Sequence, residues 1–187
     1  MGRVKTRLAA TLGDTKALNA YELLLQHTIK IAQELQFDKS IFYSDYIEIN
    51  DEGAEYFSIL KFLQEGKHLG EKMQNAFSKC FSLGYEDICI IGSDCYELTQ
   101  KHIEQAFELL LKNPIVLGPS FDGGYYLLGM NFMFKDLFLE KKWSTSTVFE
   151  DTIKNIEERG LQYALLEKLN DVDEEIDLPD EIRRLLQ

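Results

Sequence analysis

The sequence predicts an α/β sandwich in which helices cover both faces of a mainly parallel sheet. Helix-like and strand-like segments alternate along its 187 residues, which is typical of this class. The segment Ile88-Cys89-Ile90-Ile91 is an unbroken apolar run, as expected of a parallel strand that is buried on both faces. The length favours one domain, residues 1–187, with one well-buried core.

Apolar residues spaced three and four positions apart predict the helices. The first helix is expected from about 16 to 35, with its apolar face formed by Leu18, Tyr21, Leu25, Ala32 and Leu35. Further helices are expected at about 66–83, from 99, at 147–159 and near 179, and strands at 40–44, 88–91, 115–117, 125–128 and 162–166.

The charge balance excludes several kinds of partner. With 20 basic and 32 acidic residues the chain carries a formal charge of -12, which repels nucleic acid and anionic membranes. Three cysteines without CxxC spacing indicate neither a disulfide framework nor a zinc site. We find no signal-peptide pattern and no apolar stretch of membrane-spanning length, so we expect a cytoplasmic protein.

A basic cluster stands out in this acidic chain, in the segment Gly2-Arg3-Val4-Lys5-Thr6-Arg7-Leu8. A glycine lets the backbone approach a ligand closely, and Lys5 and Arg7 suit the charge of a diphosphate. The segment taken alone favours a plain solvated terminus, because it has no Walker-type spacing.

Gly92-Ser93-Asp94 follows directly after the buried apolar run. A carboxylate at the end of such a strand suits Mg²⁺ or Mn²⁺, which prefer oxygen ligands and commonly bridge carboxylates to substrate phosphates. The competing interpretation is that Asp94 caps the next helix or holds a turn, and the segment alone does not separate the two.

Three further segments each allow a functional and a structural interpretation. In the loop from Gly118 to Tyr125, Gly123 and Gly124 clear space for a ligand that Asp122 faces, or Asp-Gly simply makes the turn. Asp171 and Asp173 point to one side of an extended segment, or belong to a solvated acidic loop. Trp143 either stacks on a sugar or base ring, or packs in the core.

Taken together, six segments resemble the radical-SAM/selenodomain-associated transferases, a family with the nucleotide-diphospho-sugar transferase, or glycosyltransferase-A-like, fold. More distantly the chain looks like molybdenum-cofactor and phospholactate guanylyltransferases. The resemblance covers nearly the whole chain, and Asp-Gly-Gly-Tyr is its most specific part. The matching segments are 2–8, Leu-Gly-Glu-Lys-Met at 69–73, Gly-Ser-Asp-Cys at 92–95, 117–129, Trp-Ser-Thr at 143–145 and Asp-Val-Asp at 171–173.

The resemblance implies a role for each matching residue. The basic loop would bind nucleotide phosphates through Gly2, Arg3, Lys5, Thr6 and Arg7, with Ser93 beside them. Asp94 and Asp173 would hold the divalent cation, and Asp122 and Asp173 would be catalytic. Gly123, Gly124, Trp143 and Asp171 would lie on the acceptor side.

Two departures from the family pattern bear on these expectations. Family members usually open with an apolar strand ahead of the basic loop, so the sheet of this chain is expected to lack its first strand. Tyr96 stands where the family usually has proline, which predicts a looser turn after Asp94.

Three functions remain open. The first is metal-dependent transfer of a glycosyl group from a nucleoside diphosphate sugar to a small-molecule acceptor. The second is transfer of a nucleoside monophosphate from a triphosphate to a phosphorylated acceptor, which needs the same phosphate-neutralising groups. The glycine-rich Gly-Gly-x-Ser-x-Arg-Met-Gly loop of molybdenum-cofactor enzymes is absent from the sequence, which favours the first. The third is a nucleotide-binding domain that has lost activity.

Overall fold

The computed structural model describes residues 5–47, 60–139 and 141–186. Alternating helices and strands confirm the predicted α/β class. The helices are α1 Thr6–Leu12, α2 Asp14–Glu34, α3 Leu69–Ser82, α4 Gln100–Leu110, α5 Val148–Glu158 and α6 Asp180–Leu185. The strands are β1 Ser40–Tyr43, β2 Leu60–Leu63, β3 Ile88–Ile91, β4 Ile115–Pro119, β5 Tyr125–Met130 and β6 Tyr163–Leu165.

The main sheet has the strand order β3-β5-β4-β6. β4 and β6 are parallel, whereas β5 runs antiparallel to both β3 and β4. Three of the four strands therefore share one direction. β5 is reversed because the short loop after Pro119 allows a hairpin and is too short for a crossover.

Helices cover both faces of this sheet. On β4 the side chain of Val116 packs with Ala106 of α4, whereas Ile115 on the other face packs with Phe77 of α3 and Ile156 of α5. This alternation follows from the strand period of two residues. The sheet and the helices on its two faces form the three layers that the sequence predicts.

A third apolar cluster fixes the start of the described chain. Leu8 of α1 is fully buried against α2, Val172 and Ile182 of α6. The basic segment and the acidic loop near residue 172 are therefore packed together, although they lie at opposite ends of the sequence.

β1 and β2 form a separate parallel pair that is not joined to the main sheet in the described part of the chain. Between β1 and β3 lies a cleft of about 620 Å³, which we call the inter-sheet cleft. Among the described strands the sheet is thus interrupted, and β3 lies at its edge. Three of its four residues are only half-buried, whereas every residue of β4 is buried.

The predicted apolar face of α2 needs a correction. The residues buried in the core are Ala17, Ala20, Leu24 and Ile31, with Leu35 just after the helix. Tyr21, Leu25 and Ala32 instead line the inter-sheet cleft. The helix has two apolar faces because it contacts both a closed core and this cleft.

Two expectations from the sequence concern membrane-spanning segments and the pairing of cysteines. None of their helices is both long and apolar enough to cross a membrane. Cys80, Cys89 and Cys95 are all free thiols.

Candidate functional site

Lys5 lies at the centre of the candidate site. It caps α1 with a left-handed backbone (φ 48°), and its side chain is only 7% exposed. Its Nζ donates to the Val172 carbonyl at 2.6 Å and lies 3.0 Å from Asp94 Oδ1 and 3.8 Å from Asp173 Oδ1. One ammonium therefore joins three segments that are far apart in the sequence.

Thr6 and Arg7, which follow in the basic segment, are more exposed to solvent than Lys5. Arg7 Nη1 lies 3.3 Å from Asp173 Oδ2, and both side chains are substantially exposed, so the pair adds little stability. Thr6 is exposed at the first position of α1. Gly2 and Arg3 lie outside the described residues.

The two carboxylates beside Lys5 are held by backbone contacts. The Val172 amide donates to the Asp94 carbonyl at 2.9 Å, which ties the end of β3 to the acidic loop. Asp177 accepts from the amides of Asp173 and Glu174, so it acts as a cap inside that loop. Asp94 and Asp173 thus retain carboxylate oxygens that reach the solvent. Ser93 is half-buried and lines the inter-sheet cleft beside Asp94.

Asp122 is oriented by its own loop. Its Oδ1 accepts from the Ser120 hydroxyl at 2.5 Å and from the Gly124 amide at 2.8 Å. Ser120 is 1% exposed, whereas Asp122 is exposed. The loop is therefore both a turn and a support that holds one exposed carboxylate in a fixed orientation.

Asp171 connects the two groups of carboxylates. Burial, together with the negative charges of Asp122, Asp94 and Asp173, raises its pKa to about 6, and a hydrogen bond with Ser120 opposes this rise. Val172 between Asp171 and Asp173 is buried, as the alternation of an extended segment requires. Four predicted site carboxylates thus share one electrostatic environment at the end of the sheet.

The predicted contribution of Gly123 to an open acceptor space needs a correction. Gly123 has φ +89°, and a Cβ there would lie 1.9 Å from the Ser146 carbonyl oxygen. The chain itself fills the space that this glycine leaves. At Gly124 a Cβ would meet Asp122 and Ser120 at 3.2–3.3 Å, so this glycine lets the loop close around Asp122.

Trp143 also has a packing role. A Cβ on Gly70 would lie 2.2 Å from the indole, which stacks with Phe138 at a centroid distance of 6.3 Å. The indole Nε1 is buried without a hydrogen-bond partner among the described residues. The Leu-Gly-Glu-Lys-Met motif therefore packs on Trp143 through Gly70, and the Asp-Gly-Gly motif packs through Gly123 on Ser146, the residue that follows Trp-Ser-Thr.

Sequence reasoning missed three residues of the site. Lys72, in the first turn of α3, and Tyr21 line the inter-sheet cleft together with Asp94. Burial and the charge of Asp94 raise the pKa of Tyr21. Ser120 orients Asp122. The signal for Lys72 was its place in the Leu-Gly-Glu-Lys-Met motif, to which no role had been given.

Asp94 and Asp173 are the residues that would hold a divalent cation, and they would supply only part of its coordination shell. Asp94 and Asp173 both come within 4 Å of one cationic nitrogen, so the two carboxylates already share one positive charge. Within the described ranges, no group of three or more carboxylate, histidine or cysteine side chains is arranged to hold a metal ion. Mg²⁺ would therefore take its remaining ligands from water and phosphate, as it commonly does.

Comparison with known protein families finds one match, over residues 28–145, to the family described as "uncharacterized protein conserved in bacteria (DUF2064)". The chain belongs to the DUF2064 family. A search of curated proteins found no match. The association with radical-SAM or selenodomain proteins stays a prediction.

Similarity to solved structures identifies the fold of the DUF2064 chain. A protein from Desulfovibrio desulfuricans G20, provisionally named a nucleotide-diphospho-sugar transferase, is 28% identical with a TM-score of 0.84, covering 98% of this chain and 85% of that one. A 4-diphosphocytidyl-2C-methyl-D-erythritol synthase (13% identity, TM-score 0.59, 87% and 89% covered) shares the fold. The inositol-1-phosphate CTP transferase from T. maritima also shares the fold, with 14% identity and a TM-score of 0.53, covering 99% of this chain and 91% of that one. The predicted nucleotide-diphospho-sugar transferase fold is confirmed.

The contact between Gly70 and Trp143 predicts that the effect of Gly70→Ala on the free energy of unfolding changes sign when the indole of Trp143 is removed. Gly70→Ala should destabilise the protein by about 1–3 kcal/mol, because the new methyl overlaps the indole. In a Trp143→Ala background the same change should stabilise it by up to about 1 kcal/mol, because alanine is the better helix former. Urea unfolding of the four proteins measures this coupling. An equal effect of Gly70→Ala in both backgrounds would contradict the packing role.

Asp171 predicts a pH dependence of stability. Its folded-state pKa of about 6 lies above the ordinary value of 3.8, so the folded protein retains a proton that the unfolded chain has lost between about pH 4 and 6. Stability should fall as pH rises through this window. Asp171→Asn should flatten the fall and stabilise the protein at pH 7 by on the order of 2 kcal/mol. Urea unfolding from pH 4 to 7 measures this, with the exposed Glu108→Gln as the control. A wild-type pH profile in Asp171→Asn would refute the assignment.

Proposed function

We propose that this DUF2064 protein transfers a glycosyl group from a nucleoside diphosphate sugar to a small-molecule acceptor with the help of Mg²⁺ or Mn²⁺. One observation carries the proposal. The Lys5 ammonium lies 3.0 Å from Asp94 Oδ1 and 3.8 Å from Asp173 Oδ1, and Arg7 pairs with Asp173 from the other side. Two cations and two carboxylates thus meet where the main sheet ends.

The charges of this arrangement suit a metal-bound diphosphate. Carboxylates crowd together only where a positive charge offsets their repulsion, and Lys5 supplies it in the described structure. Asp94 and Asp173 would hold the divalent cation, which neutralises charge on the departing diphosphate. Lys5 and Arg7 would then turn to the phosphate oxygens, where a positive charge stabilises the leaving group.

The remaining carboxylates would act on the acceptor. In the transfer, the bond from the sugar carbon to the diphosphate oxygen breaks, and a bond from that carbon to an acceptor oxygen forms. The acceptor hydroxyl must lose its proton. Asp122 suits this task, because Ser120 and Gly124 both bind Oδ1 and leave the orientation of Oδ2 fixed. Asp171 is the neighbouring group for binding the acceptor.

The similarity to the Desulfovibrio protein supports this reaction, since its provisional name is nucleotide-diphospho-sugar transferase and it is 28% identical to nearly the whole chain. Nucleotidyl transfer remains the second candidate. Both the 4-diphosphocytidyl-2C-methyl-D-erythritol synthase and the inositol-1-phosphate CTP transferase share the fold. A triphosphate would meet the same cations, so the product must distinguish the reactions.

The two reactions release different leaving groups. Incubation with nucleoside diphosphate sugars, Mn²⁺ and candidate acceptors should release a nucleoside diphosphate. Incubation with nucleoside triphosphates and phosphorylated acceptors would instead release pyrophosphate if the second candidate holds. If the protein binds nucleotide but releases neither product, the third candidate applies, a nucleotide-binding domain that has lost activity.

Metal and nucleotide should bind cooperatively. We expect Mn²⁺ to raise the affinity for a nucleoside diphosphate at least about tenfold, because each supplies ligands or charge that the other needs. Asp94→Asn keeps the shape, removes the charge and should abolish this gain. Asp87→Asn is the matched control, since Asp87 precedes the same strand that Asp94 follows. Calorimetric titrations with and without Mn²⁺ test this. A gain that persists in Asp94→Asn would refute the metal site.

Lys72 should contribute to binding the donor. It lines the same cleft as Ser93 and Asp94, and its ammonium would contact phosphate oxygens from the α3 side. Lys72→Met should weaken nucleoside diphosphate binding by about 10–100-fold, the effect of losing one charged hydrogen bond. Lys79→Met on the same helix is the control, because Lys79 lies over the Phe62 ring. Equal calorimetric affinities for the two variants would exclude Lys72 from the site.

A further inference from the structure

A second groove, of about 740 Å³, lies at the amino end of β3. It is lined by residues 37–38 ahead of β1, residues 84–87 ahead of β3, and α4 from Glu104 to Leu111 just after the helix. We call it the acidic groove. Asp94, which contacts Lys5, follows the carboxyl end of the same strand, so the groove and the candidate site lie at opposite ends of β3.

Part of the lining of the acidic groove is apolar. The Phe37 and Phe107 rings contact each other at a centroid distance of 4.1 Å, and both are only partly buried against the core. Leu111 follows Phe107 by four residues and therefore lies on the same side of α4, where it is 76% exposed. Three large apolar side chains thus remain in contact with water at one place, and covering them would be favourable.

The remaining lining is acidic. Five carboxylates line the groove, and no lysine, arginine or histidine of the described chain lines it with them. Glu104 and Glu108 are four residues apart on α4, a spacing at which like charges destabilise a helix. The ion pairs among the described residues include none of Glu86, Asp87 and Glu108. A positive charge from outside would therefore relieve their repulsion. The fifth carboxylate is Asp38.

This lining is complementary to a molecule that is both basic and apolar. Nucleic acid and anionic membranes would be repelled by the carboxylates. A second copy of this chain is a poor match, because each copy carries a formal charge of -12. The segment 48–59, outside the described residues, is also a poor match, since it contains four acidic residues and no basic one. A basic segment of another protein supplies both kinds of side chain.

The size of the groove fits a short extended segment. A strand-like residue in a packed layer occupies about 160 Å³, given a rise of about 3.3 Å, a strand spacing of about 4.8 Å and a layer spacing of about 10 Å. The groove therefore accommodates four or five residues. In an extended segment alternate side chains point to opposite sides, so apolar and basic residues that alternate are separated. Long basic side chains can lie along apolar surface and still bring their charges to carboxylates at its edge.

We propose that the acidic groove is a docking site for an extended, basic segment of a partner protein, in which arginine or lysine alternates with large apolar residues. The apolar side chains cover Phe107 and Leu111, and the basic side chains pair with Glu86, Asp87 and Glu108. Arginine suits these carboxylates best, because its planar fork binds a carboxylate through two hydrogen bonds. The attraction should weaken as salt is added, since the carboxylates at the edge are exposed.

The first test compares three labelled peptides by fluorescence anisotropy with the full chain. Arg-Leu-Arg-Phe-Arg should bind saturably, with a dissociation constant below about 1 mM at low salt. Glu-Leu-Glu-Phe-Glu has the same apolar side chains with the opposite charge and should not bind. Arg-Ser-Arg-Ser-Arg keeps the charge and lacks the apolar side chains, so it should bind at least about tenfold more weakly. No nucleotide is present, so the outcome is independent of the proposed function.

The second test locates the peptide on the protein. Glu108→Lys and Leu111→Ser should each weaken binding of Arg-Leu-Arg-Phe-Arg by about tenfold, because one removes a paired charge and the other removes apolar surface. Both side chains are exposed, so the variants should fold. Glu181→Lys and Leu185→Ser are the matched controls, since they make the same changes at exposed positions of α6 outside the groove. The controls should bind the peptide as the wild type does.

Four outcomes would overturn the proposal. The first is no binding of Arg-Leu-Arg-Phe-Arg up to about 1 mM. Equal losses in the groove variants and their controls would mean that the peptide binds the acidic surface in general. Equal affinity for Arg-Ser-Arg-Ser-Arg would mean that the groove collects small cations and does not recognise a protein segment. A wild-type dimer in analytical ultracentrifugation that Leu111→Ser dissociates would mean that a second copy of this chain fills the groove.

Discussion

The Lys5 ammonium is the contact on which the arrangement of the site depends. It is nearly buried and contacts the Val172 carbonyl, Asp94 and Asp173. A buried ammonium without partners is costly, so the end of β3 and the acidic loop must stay beside the basic segment. The burial of Leu8 against α2, α6 and Val172 supplies the apolar part of the same constraint. The electrostatic and hydrophobic contributions thus favour one placement of the segment.

The proposed reaction requires this acidic protein to bind an anionic ligand. A charge of -12 repels phosphate over the surface as a whole, whereas Lys5 and Arg7 concentrate positive charge beside Asp94 and Asp173. The carboxylates beside them would lower the affinity for phosphate unless a metal ion neutralised them. The proposed function therefore calls for a metal-bound phosphate rather than a free one.

Packing among the sequence motifs gives rigidity around this end of the sheet. Gly70 accommodates the Trp143 indole, and Gly123 accommodates the Ser146 carbonyl. The start of α3, which carries Lys72, and the loop that carries Asp122 therefore both pack on the segment that contains Trp143 and Ser146. A ligand that contacts Lys72 and Asp122 would meet two groups whose spacing is set by this packing.

The sequence by itself determined the alternation of helices and strands, because hydrophobic period and glycine-rich turns are local signals. Its motifs also pointed to Lys5, Asp94, Asp122, Asp171 and Asp173, whose roles stay predictions. Only the tertiary structure decided which apolar face of α2 is buried in the core, since Ala17 and Tyr21 fit the same helical pattern. It also decided that β3 lies at the edge of the sheet among the described strands, and that Trp143 and Gly123 take part in packing. These outcomes depend on which segment lies opposite each residue, and that partner is distant in the sequence: Asp173 reaches Lys5 only because the chain has folded around the sheet between them.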